Sequence, residues 1–152
     1  YDYVRLGVIL SGFLSEKDIP VKTPLNLLPV IKITSQLISK RYVARGECVG
    51  YGTNIQLTQE TLIGVVSIGY ADGVPRSLSN TGFYVSYAGI ELRQIGNICM
   101  DMMLVDLSNA EDIVVGEEIM VMTDFERIAT SQNTITNELL SRLGARLSMT
   151  LK

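Results

Sequence analysis

The chain has 152 residues, with 13 Lys+Arg against 16 Asp+Glu, no His, two Cys and 47% hydrophobic residues. A chain of this length is most simply one domain with a single packed core. The absence of histidine excludes Ser-His-Asp and Cys-His catalysis, and two cysteines cannot form a Cys-type zinc site. A net charge of −3 argues against a nucleic-acid platform. The longest apolar stretch, residues 62–69, is too short to span a bilayer.

The sequence also indicates where the protein resides. Nothing in the length demands a disulfide and no secretory signal is present, so we expect Cys48 and Cys99 to be reduced in a cytoplasmic setting. The chain opens with Tyr1 directly in a strand-like run, and we therefore expect it to be a piece of a longer protein.

The predicted elements are mostly short strands bounded by Gly, Pro, Asn and Asp. Residues 3–10 form the first strand-like run, and residues 13–29, with three of the four prolines, predict a connector. A long strand follows at residues 30–44, with an interruption near Ser35 left open. The unbroken apolar run at residues 62–69 predicts a central strand buried on both faces. The other strands are predicted at residues 48–51, 82–87, 90–94, 102–106 and 118–122.

Strands at intervals of roughly 8 to 14 residues favour a small barrel or sandwich, so we predict a mainly β fold. Only the end is typical of helices. Thr134 or Thr136 can cap a helix, Glu138 lies in its first turn and Gly144 can end it in the αL conformation. Residues 125–132 predict another short helix.

Four clusters could carry chemistry, and three of them also have a structural interpretation. Ala71-Asp72-Gly73 is, by itself, a tight turn, and a tyrosine between two glycines is more often a packed aromatic than a catalyst. Arg5 in an apolar strand needs an acidic partner or a ligand if it is buried, because a guanidinium keeps its charge. The clusters are residues 4–7, residues 50–52, residues 68–73 with Arg76, and residues 96–101.

Taken together and in order, these clusters resemble the C-terminal part of the alanine racemase family, pyridoxal-phosphate (PLP) enzymes built from a barrel and a β domain. Residues 5–8 resemble the last barrel strand, residues 49–52 the catalytic tyrosine motif, and residues 68–73 the Ile-Gly-Tyr-Ala-Asp-Gly signature. Residues 96–101 match Gly-x-x-(Ser/Cys)-Met-Asp, and residues 134–138 match Thr-Ile-x-Tyr-Glu. The resemblance implies the small C-terminal β domain of a fold-type-III PLP racemase, at residues 30–152. The barrel strand would then be residues 1–12 and the connector residues 13–29.

The resemblance implies a two-base reaction, because racemisation needs an acid/base on each face of the substrate carbon. Tyr51 resembles one base. The other is the lysine that forms the Schiff base with PLP, and we expect it to lie outside this chain. Tyr51 would complete the active site of the partner in a homodimer.

The resemblance also implies binding roles. Arg5 resembles the partner of the PLP pyridine nitrogen, and it would keep that nitrogen unprotonated. The amides of Gly7 and Val8 resemble the phosphate site, and Asn137 would adjoin the cofactor. Substrate contacts are implied for Tyr70, Arg76, Asp101, Asn137 and the Met100 backbone. Asn97 resembles a corridor position at which the family commonly has arginine.

Asn137 departs from the family pattern, which usually has tyrosine there. A shorter side chain with a donor and an acceptor predicts a wider, more polar pocket that suits serine. The substitution resembles the membrane-bound serine racemases of vancomycin resistance, which also racemise alanine. That similarity implies D-amino acids for peptidoglycan precursors, and a cytoplasmic-facing domain of a protein anchored by a membrane domain ahead of it.

Three alternatives remain open at this point. Asn137 could merely cap the terminal helix, a position that favours Asn. The protein could be an ordinary alanine racemase with an atypical residue at this position. It could also be a non-catalytic β module for dimerisation or binding.

Overall fold

The computed structural model describes residues 2–14, 25–52 and 55–151, and a closed antiparallel barrel is its main feature. Around the barrel the order is β1-β4-β7-β6-β5-β8, and β8 pairs back to β1. A separate hairpin of β2 and β3 lies outside it. The mainly β prediction is confirmed. The elements are β1 (Ile33–Val43), β2 (Cys48–Val49), β3 (Ile55–Gln56), β4 (Thr61–Val66), β5 (Tyr84–Tyr87), β6 (Ile90–Ile95), β7 (Met103–Asp106), β8 (Glu118–Met122), α1 (Phe125–Ser131) and α2 (Thr136–Ser141).

The long strand β1 closes the barrel by pairing with two different neighbours. Its first residues, 33–36, pair with β8, and its later residues, 37–43, pair with β4. The register is irregular between Leu37 and Ser39, where a bulge lets the strand bend. The interruption left open near Ser35 is therefore a change of partner in a continuous strand.

Strand β4 is buried on both faces, as its apolar sequence predicts. Leu62 and Val66 belong to the main core. Ile63 belongs to a second, smaller core with Val43, Val49 and Leu57, under the β2–β3 hairpin. The hairpin therefore covers the outer face of β4 and is fixed to the barrel by apolar contacts.

The two predicted helices are present, but their ends differ from the prediction. Asp124 caps α1 by accepting a hydrogen bond from the Arg127 amide at 2.9 Å. The N-cap position of α2 is Ile135, without a side-chain cap. The caps predicted at Thr134 and Thr136 are therefore wrong, although the Thr134 hydroxyl donates to the Glu138 carboxylate.

The predicted αL stop at Gly144 is also wrong. Helix α2 ends at Ser141, and its C-cap residue, Arg142, has right-handed helical geometry. Gly144 is not among the glycines with positive φ.

The strand predicted for residues 3–10 is wrong for this chain. Residues 2–7 form neither helix nor strand, and Val8–Ser11 form a 3₁₀ turn. A strand needs a neighbour for its backbone hydrogen bonds, and no strand in the described part of the chain lies beside this segment. Phe13 nevertheless packs against Phe125, with ring centroids 5.6 Å apart. The division at residues 12 and 29 stays a prediction, and residues 15–24 of the connector lie outside the described residues.

Candidate functional site

Tyr51 lies at the tip of a turn that follows β2, between two glycines. Gly50 and Gly52 have φ values of +82° and +89°, a left-handed conformation that favours glycine. The Tyr51 side chain is 80% exposed. The turn therefore presents a phenol to the surroundings, and the packed-aromatic interpretation of this residue is wrong.

The Tyr51 turn is held to the loop after β6. The side-chain amide of Asn97 donates a hydrogen bond of 2.8 Å to the Tyr51 carbonyl oxygen. The two backbones also approach closely, because a Cβ at Gly50 would lie 3.4 Å from the Gly96 Cα. Asn97, which the resemblance placed in a corridor, makes a contact that positions the tyrosine turn.

The loop at residues 69–73 is joined to the loop at residues 96–101 through the backbone. The amide of Tyr70 donates to the Cys99 carbonyl at 3.0 Å, and the amide of Ala71 donates to the Met100 carbonyl at 3.0 Å. A Cβ at Gly69 would lie 2.2 Å from the Cys99 carbonyl oxygen, so only glycine permits this approach. We call residues 50–52, 69–73 and 96–101 the loop cluster.

Polar side chains, of which Gln94 is buried, fix one edge of the loop cluster. Gln94 is 1% exposed, and its side-chain nitrogen donates to the carbonyls of Ile95 and Gly96 at 2.9 and 2.8 Å. Asn80 accepts from the Gly96 amide, and the Ser79 hydroxyl accepts from the Ile98 amide. Gln94 lies outside the sequence motifs and was not predicted as a site residue. Its signal was a polar residue two positions after the buried Leu92, on the inward face of β6.

Arg146 contacts the loop cluster from the C-terminal segment. Its Nε is 3.2 Å from Asp72, and its Nη2 is 2.6 Å from Asp101. The hydrogen bond that Arg146 donates to Asp101 and the negative charges of Asp72 and Asp101 raise the pKa of Arg146 above its ordinary value. No sequence motif includes Arg146, so the residue was not predicted as part of the site. Asp101 is paired with this cation of its own chain, and its predicted substrate contact stays a prediction.

The residues predicted to contact substrate lie on the surface of the loop cluster or beside it. Tyr70 and Met100 are 42% and 52% exposed. Arg76 is exposed on a 3₁₀ turn, and among the described residues it has no ion-pair partner. A cavity of about 310 Å³ lies behind the β2–β3 hairpin, but none of Tyr51, Tyr70 and Met100 lines it. The predicted groups are therefore exposed and do not line this cavity.

The residues predicted to bind the cofactor lie outside the loop cluster, in the N-terminal segment (residues 2–14) and in α2. Arg5 and Gly7 are exposed, and Val8 packs partly against the main core. Asn137 is the second residue of α2 and is exposed. No hydrogen bond or ion pair between described side chains joins Arg5 or Asn137 to the loop cluster. Because the N-cap of α2 is Ile135, the interpretation of Asn137 as a helix cap is wrong.

Comparison with known proteins identifies relatives that match nearly the whole chain. A family model described as "Alanine racemase, C-terminal domain" matches residues 30–151. The chain is 52% identical over 151 residues to an amino-acid racemase of Enterococcus faecalis, a match that covers 99% of the chain. It is 51% identical over 152 residues to a serine/alanine racemase of Enterococcus gallinarum, a match that covers all of the chain. The chain spans only 22% of the length of each of these relatives.

A solved relative has the same fold. The crystal structure of alanine racemase from Bartonella henselae with covalently bound pyridoxal phosphate superimposes with a TM-score of 0.77 at 34% sequence identity. The match covers 84% of this chain and 36% of that enzyme.

Proposed function

The chain belongs to the alanine racemase family, and from this premise we propose that it forms the C-terminal part of a PLP-dependent racemase that interconverts L- and D-serine, and also alanine. One observation carries the proposal. Tyr51 is exposed at a glycine turn, and a bond from Asn97 to its carbonyl oxygen fixes that turn to the loop that bears Met100.

In the proposed reaction, Tyr51 is the acid/base on one face of the substrate α-carbon. Its phenol would remove or return the α-proton on that face, and a lysine outside this chain would do the same on the other face. Two bases are needed because a single base would tend to return the proton to the face it left. We propose that Tyr51 does this in the active site of the partner in a homodimer, which its 80% exposure supports.

The N-terminal segment fits the proposed cofactor. A Cβ at Gly7 would meet no atom within 4 Å, so a phosphate has room beside this backbone. The exposed Arg5 can donate to the pyridine nitrogen, and the amides of Gly7 and Val8 can donate to the phosphate. When bound, PLP withdraws electrons from the α-carbon and so makes its proton removable.

The loop cluster supplies the proposed substrate contacts. The Met100 amide would bind the substrate carboxylate, and Tyr70 and Arg76 would line the approach to it. Both side chains are exposed, which suits contact with a group outside this chain. Because Asp101 pairs with Arg146, its proposed contribution to the substrate site is through the shape of the loop.

Asn137 supports serine as a substrate. It is exposed and does not cap α2, so its amide is available to hydrogen-bond the hydroxymethyl group of serine. The identity to the serine/alanine racemase of Enterococcus gallinarum supports the same substrate class. An ordinary alanine racemase is the second candidate, supported by the identity to the Bartonella henselae enzyme.

We further propose that the enzyme supplies D-amino acids for peptidoglycan precursors in vancomycin resistance, from a cytoplasmic-facing domain. The chain spans 22% of each Enterococcus racemase but 36% of the Bartonella henselae enzyme, so the Enterococcus proteins are much longer. The extra length supports a further domain, which we propose lies ahead of the racemase and attaches the protein to the membrane. Within the described residues, no helix has the length and apolarity needed to cross a membrane.

The proposal is tested with the full-length enzyme that carries this chain. Purified with PLP, it should convert L-serine to D-serine and L-alanine to D-alanine, as followed by chiral chromatography. Conversion of alanine alone would favour the second candidate. No conversion of either amino acid would reject racemase activity.

A further inference from the structure

Arg146 joins two loops that carry proposed substrate contacts. Its guanidinium reaches Asp72, in the loop that begins with Gly69, and Asp101, in the loop that contains Met100. The two donor nitrogens, Nε and Nη2, lie in the same rigid guanidinium plane. One side chain can therefore hold two carboxylates at a fixed distance and orientation.

The carboxylate of Asp72 is the buried member of this group. Asp72 is 7% exposed, and its Oδ2 accepts a hydrogen bond of 2.9 Å from the Gly69 amide, while its Oδ1 faces Arg146. One oxygen of Asp72 thus holds the start of its own loop at Gly69. The other oxygen holds the C-terminal segment through Arg146. A guanidinium between Asp72 and Asp101 also offsets their mutual repulsion.

We infer that Arg146 is a positioning residue, which holds the Tyr70 loop against the Met100 loop and so sets the geometry of the substrate contacts. The inference rests on the proposed function, in which those two residues face the substrate. The amides of Tyr70 and Ala71 already bond to the facing loop, and Arg146 adds the only ion pairs that link these loops within the described residues.

The arrangement favours a geometric role over a large contribution to stability. The Arg146 side chain is 53% exposed, and water screens ion pairs of this kind. A displacement of about 1 Å in a substrate-binding group can nevertheless cost about 10²-fold in rate. We therefore expect substitution of Arg146 to affect substrate binding more than folding.

The test compares Arg146→Gln with Arg142→Gln in the full-length enzyme. Arg142 is a matched control because its side chain is similarly exposed and its ion pair, to Glu138, stays within the α2 segment. Arg146→Gln should raise KM for the amino acid about tenfold, with a smaller change in kcat. Hydrogen exchange at the Tyr70 and Ala71 amides should accelerate. Arg146→Lys, which keeps the charge and loses the fork, should lie between Arg146→Gln and wild type.

Each outcome separates the inference from the proposed function. Wild-type KM and exchange rates in Arg146→Gln would overturn the inference, as would equal losses in both glutamine variants. If the wild-type enzyme racemised neither serine nor alanine, the proposed function would fail. Hydrogen exchange would still decide whether Arg146 holds the two loops.

Discussion

The loop cluster and the N-terminal segment with α2 divide the proposed site into two unlike regions. In the loop cluster, the turns are joined by backbone bonds, by Asn97 and by Arg146. In the other region, Arg5 and Asn137 are exposed, and neither makes a hydrogen bond or ion pair with a described side chain. The chain therefore fixes the geometry of the first region by itself, whereas the second presents groups for contact with something else.

The largest expected effect is the complete loss of racemase activity when this chain is purified without the rest of the enzyme. It should fold, because the closed barrel buries a continuous apolar core. It should show no racemase activity, because the lysine proposed as the second base and Schiff-base partner of PLP lies outside this chain. Circular dichroism should report a β domain with a cooperative melt, and chiral chromatography with added PLP should detect no turnover. Appreciable turnover of either enantiomer would contradict the two-base proposal.

Replacement of Tyr51 should give the next largest effect. In the full-length enzyme, Tyr51→Phe should lower turnover by about 10²-fold or more, the usual scale for a positioned acid/base. The fold and PLP absorbance should persist, because Asn97 bonds to the Tyr51 carbonyl and not to its phenol.

A matched control for the phenol is Tyr42→Phe. The Tyr42 hydroxyl is bonded to Glu111 on the outside of the barrel, away from the loop cluster, so activity should be unchanged. Near-normal turnover of Tyr51→Phe in both directions would remove Tyr51 from the reaction.

Gly69→Ala tests whether the loop cluster depends on close backbone approach. The new Cβ would lie 2.2 Å from the Cys99 carbonyl oxygen, so one of the loops must move. We expect a loss of roughly 1–3 kcal/mol of unfolding free energy, the usual cost of overpacking, measured by urea unfolding of the isolated chain.

Gly144→Ala is the control for this loss. A Cβ at Gly144 would lie 3.8 Å from the nearest atom, an ordinary contact, and its backbone is not left-handed. The change should stay within about 0.5 kcal/mol. Equal stability of Gly69→Ala and Gly144→Ala would show that the two loops are not closely packed.

Much of this fold could be predicted because its signals are local. The turn residues Ala88 and Gly89 both have positive φ, as a tight hairpin between two alternating strands requires. The apolar run of β4 predicted burial on both faces because every second residue points to the opposite side. The long-range contacts could not be predicted from the sequence. Arg146 meets Asp72 and Asp101 only after the barrel has folded, and no periodicity links them.

The same distinction between local and long-range signals applies to the predicted site. The motifs identified the loops that the structure brings together, including those of Tyr51, Tyr70 and Met100. They did not give the reason for the arrangement, which lies in Gln94, Asn80 and other residues outside the motifs. The N-terminal strand failed as a prediction because a strand is defined by its neighbours, and none of the described residues provides one.

The smallest expected effect concerns substrate choice in the second region. Asn137 is exposed on α2 and caps nothing, so its replacement should change contacts with a ligand and leave the barrel intact. Asn137→Tyr removes a hydrogen-bonding amide and crowds the space that the serine hydroxymethyl group would occupy. Alanine, one oxygen smaller, should still fit.

The ratio of kcat/KM for serine to that for alanine should therefore fall at least a few-fold, since a neutral hydrogen bond contributes about 0.5–1.5 kcal/mol. The measurement is racemisation of both amino acids by the full-length enzyme, alongside its melting temperature. Ser141→Tyr, which places the same aromatic side chain at the other end of α2, should leave the ratio unchanged. If Asn137 acted only on the helix, both substrates would be affected alike and the melting temperature would fall. An unchanged ratio would remove the structural reason for preferring serine over alanine, because among the described residues only Asn137 supports that choice.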